Sequence, residues 1–546
     1  MFLTIAGKIQ GTTVRRITTA VIAIALSAQA WSSDADFESL ADQFVSDLPA
    51  LSPVAATWIG DHRRDADLDQ VDDTARDKLR STLRDYQAAL EAIDRDVLSR
   101  ANQIDYELLS SDVAARLWSL DELQEWAWNP LYYVNTAGSS IYNLVARDFA
   151  PVEERLGNAA ARLEQFPRFL EQARASLVPE RVPKIHAETA VAQNLGVVSI
   201  IENMIVPEMG NLTGATRTRL EAAIEVAKDA LAEHQTWLEE ELLPRAAGDF
   251  RIGAGRFDRK LAYALDSPLG RREVVARAEA EYESVRNQMY EVSKEIYLAD
   301  HPYTAFPDSP DEAYKQVIIR AALEKAYQRL PPADGIVEVA RQQLQQATDF
   351  VIEKNLVTMP DEPVEIIIMP EFQRGVSVAY LDSPGPLDKG QSTFYAVAPL
   401  PADWTGEQVR SFLREYNLYS LQDLTIHEGV PGHYLQLALS NRYPSTLRGV
   451  LGSGPMIEGW AVYAERLMID EGYQDNDPLQ RLIMLKWYLR AVTNAIIDSA
   501  IHVDGMTRDE AMQLMIEGGF QEEREAAGKW VRAQLTSSQL STYFVG

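Results

Sequence analysis

"TIHEGVPGHYLQ", residues 425–436, poses the question on which the fold turns. It sets His427 and Glu428 side by side and brings a second histidine, His433, six positions after the first. A metal ion needs several lone-pair donors converging within bonding distance. On a regular helix, residues six apart differ by about 600° of rotation. That leaves them roughly 120° off a common face and about 9 Å apart along the axis. One unbroken helix therefore cannot aim both imidazoles at one ion. The sequence also supplies the break. Pro431 has no N–H and would clash with the carbonyl of His427. It disfavours helical angles at Val430, and Gly432 permits unusual ones. "GVPG", residues 429–432, predicts a turn or bulge that returns His433 to the side of His427. Glu428 then stands beside the ion as a general base, not a ligand, moving a proton from water to a leaving amine. The competing reading is two unrelated histidines beside a helix break. The chain has only 7 histidines in 546 residues, and these two fall close together beside an acid.

A third donor is expected from "GPMIEGWAVYAERLM", residues 454–468, which reads as a helix with Ile457, Ala461, Ala464 and Met468 on its apolar face. Glu458 lies among Ile457, Gly459 and Trp460, where an acid is costly unless paired or bound to a metal. Its distance of 25 residues from His433 lets this helix pack back on the first. Glu458 is thus the expected third ligand. Glu465, seven residues on and on the same face, is the weaker choice; it suits an acceptor that orients His427 or His433. Ion pairs to Arg466 or Arg490 are the ordinary alternative for both acids.

Farther along, "KWYLRAVTNAIIDSAIHVDGMTRDEAMQLM", residues 486–515, carries Arg490 and His502. Arg490 is a candidate for a substrate carboxylate, with a structural ion pair as its alternative. His502 is a candidate oxyanion donor, with a helix-terminus contact as its alternative. Thr507 and Glu510 form a capping pattern. "RAQLTSSQLSTYFVG", residues 532–546, adds Arg532 as a substrate-binding candidate, Gln539, and Tyr543 as a second candidate oxyanion donor.

Most of the chain has helical periodicity, with apolar residues at steps of three and four. The segments 76–99, 152–177, 217–243 and 271–297 show it most clearly, with breaks at "HPYTAFPDSP", residues 301–310, and "PPADG", residues 331–335. Short strands are predicted at residues 362–370, 376–381 and 392–400. The middle strand, which includes Tyr380, is either an edge that holds an extended peptide by main-chain hydrogen bonds or a plain structural hairpin. The expected fold is mainly α: one large multi-helix body, helical over residues 31–355, with a small sheet at 362–400 beside active-site helices at 406–546. No internal repeat and no low-complexity linker interrupts it.

Composition narrows the function classes. The hydrophobic fraction is 46%, ample for a large core. Net charge is −29, from 81 acidic and 52 basic residues, which argues against a nucleic-acid partner. The chain has no cysteine, so thiolate catalysis, disulfides and cysteine metal sites are excluded. Residues 1–30 read as a signal peptide: Arg15 and Arg16, the apolar run "ITTAVIAIALSA", then "AQA" with cleavage after Ala30. The run is short for a membrane span, and no stable membrane insertion is expected after cleavage. The expected location is the periplasm or beyond.

"HEGVPGHYLQ" followed by "EGWAVYAE" resembles the DUF885 family of exported bacterial proteins, itself similar to the gluzincin metallopeptidases. "TWIGDHRRDADLDQV" from Thr57, "IDYELL" from Ile104, "LRAVTNAIIDSAIH" from Leu489 and "RAQLTSSQLSTYFVG" from Arg532 carry the likeness across roughly residues 35–546. The resemblance implies a gluzincin-like body, Zn2+ as cofactor, His427, His433 and Glu458 as ligands, and Glu428 as general base. Tyr434 stands where the family commonly has another histidine, and "SSQ", residues 537–539, stands where it often reads "PGQ". The expected activity is hydrolysis of short peptides through a metal-activated water, by a monomer or homodimer. Two other readings stand beside it: hydrolysis of a non-peptide amide or ester, and a non-catalytic binding or scaffold protein with a degenerate metal site.

Overall fold

Alternation of apolar and polar residues at the helical period makes nearly the whole chain α-helical, and a three-stranded sheet is its one extended unit among the described residues. The structure is a computed structural model and describes residues 33–369, 379–401 and 404–546. The expected signal peptide and residues 376–378 of the expected middle strand lie outside the described residues.

Much of the N-terminal half packs around an apolar cluster that runs from Val54 to Leu242, and a second cluster gathers Phe37, Leu83 and Leu109. Helices α1 (Pro130–Val145), α2 (Val152–Leu163) and α3 (Gly214–Trp237) supply much of the first. Residues 152–177, expected as one helical run, form two helices, because Pro167 starts a second one at Phe166–Ser176. At the centre of this half Arg162 is fully buried. Its guanidinium donates to the carbonyls of Asp67 (2.9 Å) and Ser140 (2.7 Å) and to the Thr57 hydroxyl (2.6 Å), which offset the cost of burying the charge.

The C-terminal half is built on α4 (Arg271–Asp300), α5 (Ile336–Lys354), α6 (Leu418–Glu428), α7 (His433–Ser440), α8 (Gly454–Asp470), α9 (Pro478–Ser499), α10 (Glu523–Leu535) and α11 (Ser541–Val545). Helix α4 packs along α9, sharing a cluster that includes Val285, Met289, Leu482 and Leu489. Lys486 and Glu415 form a buried ion pair at 2.8 Å, and Glu415 also accepts from the Glu522 N–H at 3.1 Å. This pair ties α9 to the start of α10.

The sheet consists of β1 (Val364–Ile368), β2 (Ala379–Asp382) and β3 (Thr393–Val397), in the order β1-β3-β2. β1 runs parallel to β3, and β2 runs antiparallel to it. Ile366 and Leu381 pack toward clusters that include Leu424 and Ile426 of α6, and Tyr395 Oη lies 3.3 Å from Thr425 Oγ1. The sheet therefore rests on the helix that carries His427.

The N-terminal "GDHRRDAD" motif holds this sheet from a distance. Gly60 sits at φ +85°, and a Cβ there would meet the Asp388 amide at 2.4 Å. The Leu387 N–H donates to the Ile59 carbonyl at 3.0 Å. His62 bridges Asp65 (Nδ1, 2.9 Å) and Asp388 (Nε2, 3.0 Å) and stacks on Phe149 with ring centroids 3.7 Å apart. Burial alone would lower the His62 pKa; the hydrogen bonds and charges of Asp388 and Asp65 outweigh it and raise it to about 9. The imidazolium therefore clamps the loop after β2 to the N-terminal half. Because the folded value lies above the unfolded one, this contribution is complete below pH 6.5 and is lost as pH rises through about 9. The melting-temperature difference between wild type and His62→Gln should thus be largest in mildly acidic buffer and narrow as the pH is raised. A difference that is constant with pH would show that the clamp is not ionic.

Candidate metal centre

The chain breaks where Pro431 and Gly432 demand it. Helix α6 ends at Glu428, with the Gly429 N–H donating to the Thr425 carbonyl at 2.9 Å. A four-residue turn with a cis Val430–Pro431 peptide follows, and α7 starts at His433. The Gly432 N–H reaches back to the Ile426 carbonyl at 3.0 Å. A Cβ on Gly432 would stand 1.9 Å from the His427 carbonyl oxygen and 2.3 Å from that of Ile426. A side chain has no space here, so the position requires glycine. Trp460 closes the turn from outside, its indole N–H donating to the Pro431 carbonyl at 2.8 Å.

This turn brings the two imidazoles together, with ring centroids 4.7 Å apart and planes at 84°. Glu458 of α8 meets both: its Oε2 lies 3.5 Å from His433 Nε2 and 3.9 Å from His427 Nε2. One donor atom from each of His427, His433 and Glu458 lies within 4.8 Å of the others. A tetrahedral zinc with ligand bonds of about 2.0–2.1 Å separates its ligand atoms by roughly 3.3–3.5 Å. The two histidine–carboxylate separations fit that spacing with small side-chain adjustments. Two neutral imidazoles and one carboxylate are also the donor set that suits zinc.

Behind the triad lies a buried acid pair. Glu465 Oε1 accepts from His427 Nδ1 at 2.6 Å, which fixes the tautomer so that the Nε2 lone pair faces Glu458. Glu465 thus takes the orienting role, not that of a ligand. Asp423, one helical turn before His427, is fully buried and interacts with Glu465. Burial pushes both carboxyls well above the usual range, and for Asp423 the charge of Glu465 adds to that rise. Glu458 differs. Burial would raise it, but the hydrogen bond from His433 and the charges of His433, His427 and Arg532 hold it below the ordinary value. Glu428 is half-buried at the end of α6, and its charge is felt by Tyr395 and Glu465.

The C-terminal segment forms the facing wall. Asp498 of α9 accepts from the amides of Ser538 (2.9 Å) and Ser541 (3.0 Å) and from the Ser541 hydroxyl (2.8 Å). That anchors the loop carrying Gln539 and Tyr543. A Cβ on Gly459 would lie 2.2 Å from the Gly546 carbonyl carbon, so α11 can lie against α8 only where the residue after Glu458 has no side chain. Gln539 Nε2 stands 3.5 Å from Glu458 Oε1. Arg532 donates to Gln539 Oε1 (2.9 Å) and to Tyr543 Oη (3.0 Å). Arg532 and Tyr543 are therefore linked to Glu458 through Gln539.

Three other expectations need correction. His502 is buried, and its Nε2 is spent on the carbonyls of Ala533 (2.8 Å) and Thr536 (2.7 Å), with Phe257 stacked beside it. It braces α9 against the end of α10 and presents no donor to the triad. Arg490 is ion-paired with Glu525, which also accepts from Tyr416 Oη at 3.0 Å, so its charge is already used inside the fold. Tyr380 of β2 faces Tyr142, Asp382 and Arg147, none of which belongs to the triad. Tyr434 is buried in an apolar cluster and donates to the Glu362 carbonyl, so the position where a further histidine was considered points away from Glu458. Asp423 and Asp498 were not foreseen; the one available signal was Asp423 standing one turn before His427.

Gly432→Ala is expected to lower zinc affinity by about 10–100-fold, the range for disturbed ligand positioning, because the clash is with backbone and no side chain can yield. Chelator competition on the purified variant measures it; unchanged affinity would show that the turn does not set the histidine geometry.

Comparison with known proteins places this arrangement. The family described as "Bacterial protein of unknown function (DUF885)" matches residues 53–546. No curated protein matches the chain. A solved structure described as "a putative lipoprotein of unknown function from Shewanella oneidensis" is similar at 33% identity and a TM-score of 0.77, over 93% of this chain and 91% of that one. Another, "the putative lipoprotein from Colwellia psychrerythraea", is similar at 18% identity and a TM-score of 0.74, over 94% and 91%, and shows the shared fold. With the family match covering the chain from residue 53 to its last residue, this protein belongs to the DUF885 family.

Proposed function

We propose that this protein is a zinc-dependent hydrolase that cleaves short peptides, with a gluzincin-like ligand set. The observation that carries the reading is the convergence of His427, His433 and Glu458 across a helix break that sequence spacing alone would forbid. Zinc held by these three would act as a Lewis acid toward a carbonyl and lower the pKa of water.

The chain's own residues supply the rest. Glu428 follows His427 directly and, being a base and not a ligand, accepts a proton from the attacking water and passes it to the leaving nitrogen. Water oxygen bonds to the carbonyl carbon, the C–N bond breaks, and the amine leaves carrying that proton. Tyr543 is the donor suited to the developing oxyanion. Burial, followed by the charge of Glu458, raises its pKa, so the hydroxyl keeps the proton it must donate. Arg532 and Gln539 fix its position. β2, at the edge of the sheet and against α6, is suited to pair with an extended substrate backbone. The relative from Shewanella oneidensis, described as "a putative lipoprotein", supports an exported location in the periplasm or beyond.

Glu428→Gln is expected to keep zinc at the wild-type stoichiometry and to lower turnover of a short-peptide panel by about 10²–10⁴-fold. Tyr543→Phe should likewise keep the metal and lower kcat by roughly 10²–10³-fold. Zinc analysis alongside peptide hydrolysis separates the outcomes. Wild-type protein that holds no zinc after reconstitution, or Glu428→Gln with full turnover, would overturn the reading.

A further inference from the structure

Glu525, Lys529 and Arg532 lie at i, i+4 and i+7 on α10, on one face of that helix. Glu525 is taken by Arg490 and Tyr416. Neither Lys529 nor Arg532 forms an ion pair among the described residues, though Glu525 acts on Lys529 by charge across one helical turn. Lys529 is only 4% exposed and makes no hydrogen bond or ion pair among the described residues. Arg532 gives its hydrogen bonds to the neutral oxygens of Gln539 and Tyr543 and also forms no ion pair among the described residues. The acid whose field reaches both is Glu458, the carboxylate of the triad. Burial, with the charges of Arg490 and Arg532 added, holds the Lys529 ammonium well below the usual lysine range. That is the direction a missing counter-ion produces.

A buried cation without a partner is costly and is seldom kept without a use. Once Glu458 gives its charge to a metal ion, Arg532 has no ion-pair partner among the described residues, and Lys529 has only the charge of Glu525, which Arg490 already pairs. We infer that Lys529 and Arg532 form a subsite for a free carboxylate of the substrate, so that the preferred substrate is a short peptide cut close to its C-terminal end. The guanidinium offers planar paired donors that match a carboxylate, and the ammonium adds a point charge. Arg490, the candidate suggested by sequence, is excluded from this role by Glu525. On hydrolysis the fragment that leaves as the amine is the one bearing the anchored carboxylate.

This inference rests on the hydrolase reading for its chemistry, and its test does not need turnover. The zinc-loaded full-length chain carrying Glu428→Gln is titrated calorimetrically with N-acetyl-Ala-Ala as the free acid and as its C-terminal amide. The acid should bind at least about tenfold more tightly than the amide, roughly 1.4 kcal/mol. Adding Lys529→Met should remove most of that preference while keeping zinc, and should raise the melting temperature because a buried unpaired ammonium is gone. Arg532→Gln serves as the second variant. Equal binding of acid and amide, binding of neither, or a preference that survives both substitutions overturns the subsite. Acid-selective binding in a wild-type protein that cleaves no peptide would sink the hydrolase reading and leave the subsite standing.

Discussion

Two imidazoles on separate helices must meet one carboxylate, and the space between Gly432 and the His427 carbonyl decides whether they can. On a continuous helix a four-residue spacing would align them without further help. Here alignment must be built. The Gly432 amide returns to Ile426, and the Trp460 indole holds the Pro431 carbonyl from outside. The helix that carries Glu458 therefore also secures the turn that positions His427 and His433. Glu458 and Trp460 are two residues apart, about 200° around the helix. They diverge, one to the triad and one to the turn, while Glu465 comes back to the Glu458 side and grips His427 Nδ1. Three residues of α8 thus fix the site from three directions.

Charge is layered around that centre. On one side Asp423 and Glu465 are buried together behind His427, and burial raises the pKa of both carboxyls. On the other side Arg532 and Lys529 stand near Glu458 with Tyr543 and Gln539. Ion pairs between Lys486 and Glu415, and between Arg490 and Glu525, lie in the helices behind and are closed circuits. The groups that keep open valence are those at the triad. In a chain of net charge −29, the pair of cations on the Glu458 side sets that side apart from the acidic face behind His427.

Much of this was legible in the sequence because it is local. The turn at residues 429–432 followed from Pro431 and Gly432, and Glu458 from an acid placed among apolar neighbours. The helices followed from their periodicity; the split at Pro167 was a local signal outweighed by a long apolar pattern. The strands at Val364–Ile368 and Thr393–Val397 were also visible, yet their parallel pairing was not, since the order β1-β3-β2 depends on how the chain crosses between them. His502 and Arg490 were misplaced for one reason. Their partners lie 31 to 35 residues away, at Ala533, Thr536 and Glu525, and residue type cannot reveal a partner across that distance. Lys529 went unnoticed although its i, i+4, i+7 stripe is readable, because a helical charge stripe ordinarily faces water and only packing buries this one.

The distant N-terminal motif then acquires a physical role. The loop that follows β2 runs under Gly60, whose missing side chain lets Asp388 approach, and His62 binds both Asp65 and Asp388. β2 pairs with β3, and Tyr395 of β3 touches Thr425 two residues before His427. A chain of contacts therefore leads from residues 60–65 through the sheet to the helix that ends in Glu428. The N-terminal layer supplies none of the three triad residues, and it meets the loop after β2 through Ile59, Gly60 and His62. The fold thus couples its most remote motif to the position where bond cleavage would occur, and the coupling runs through packing and hydrogen bonds, not through any residue at the site.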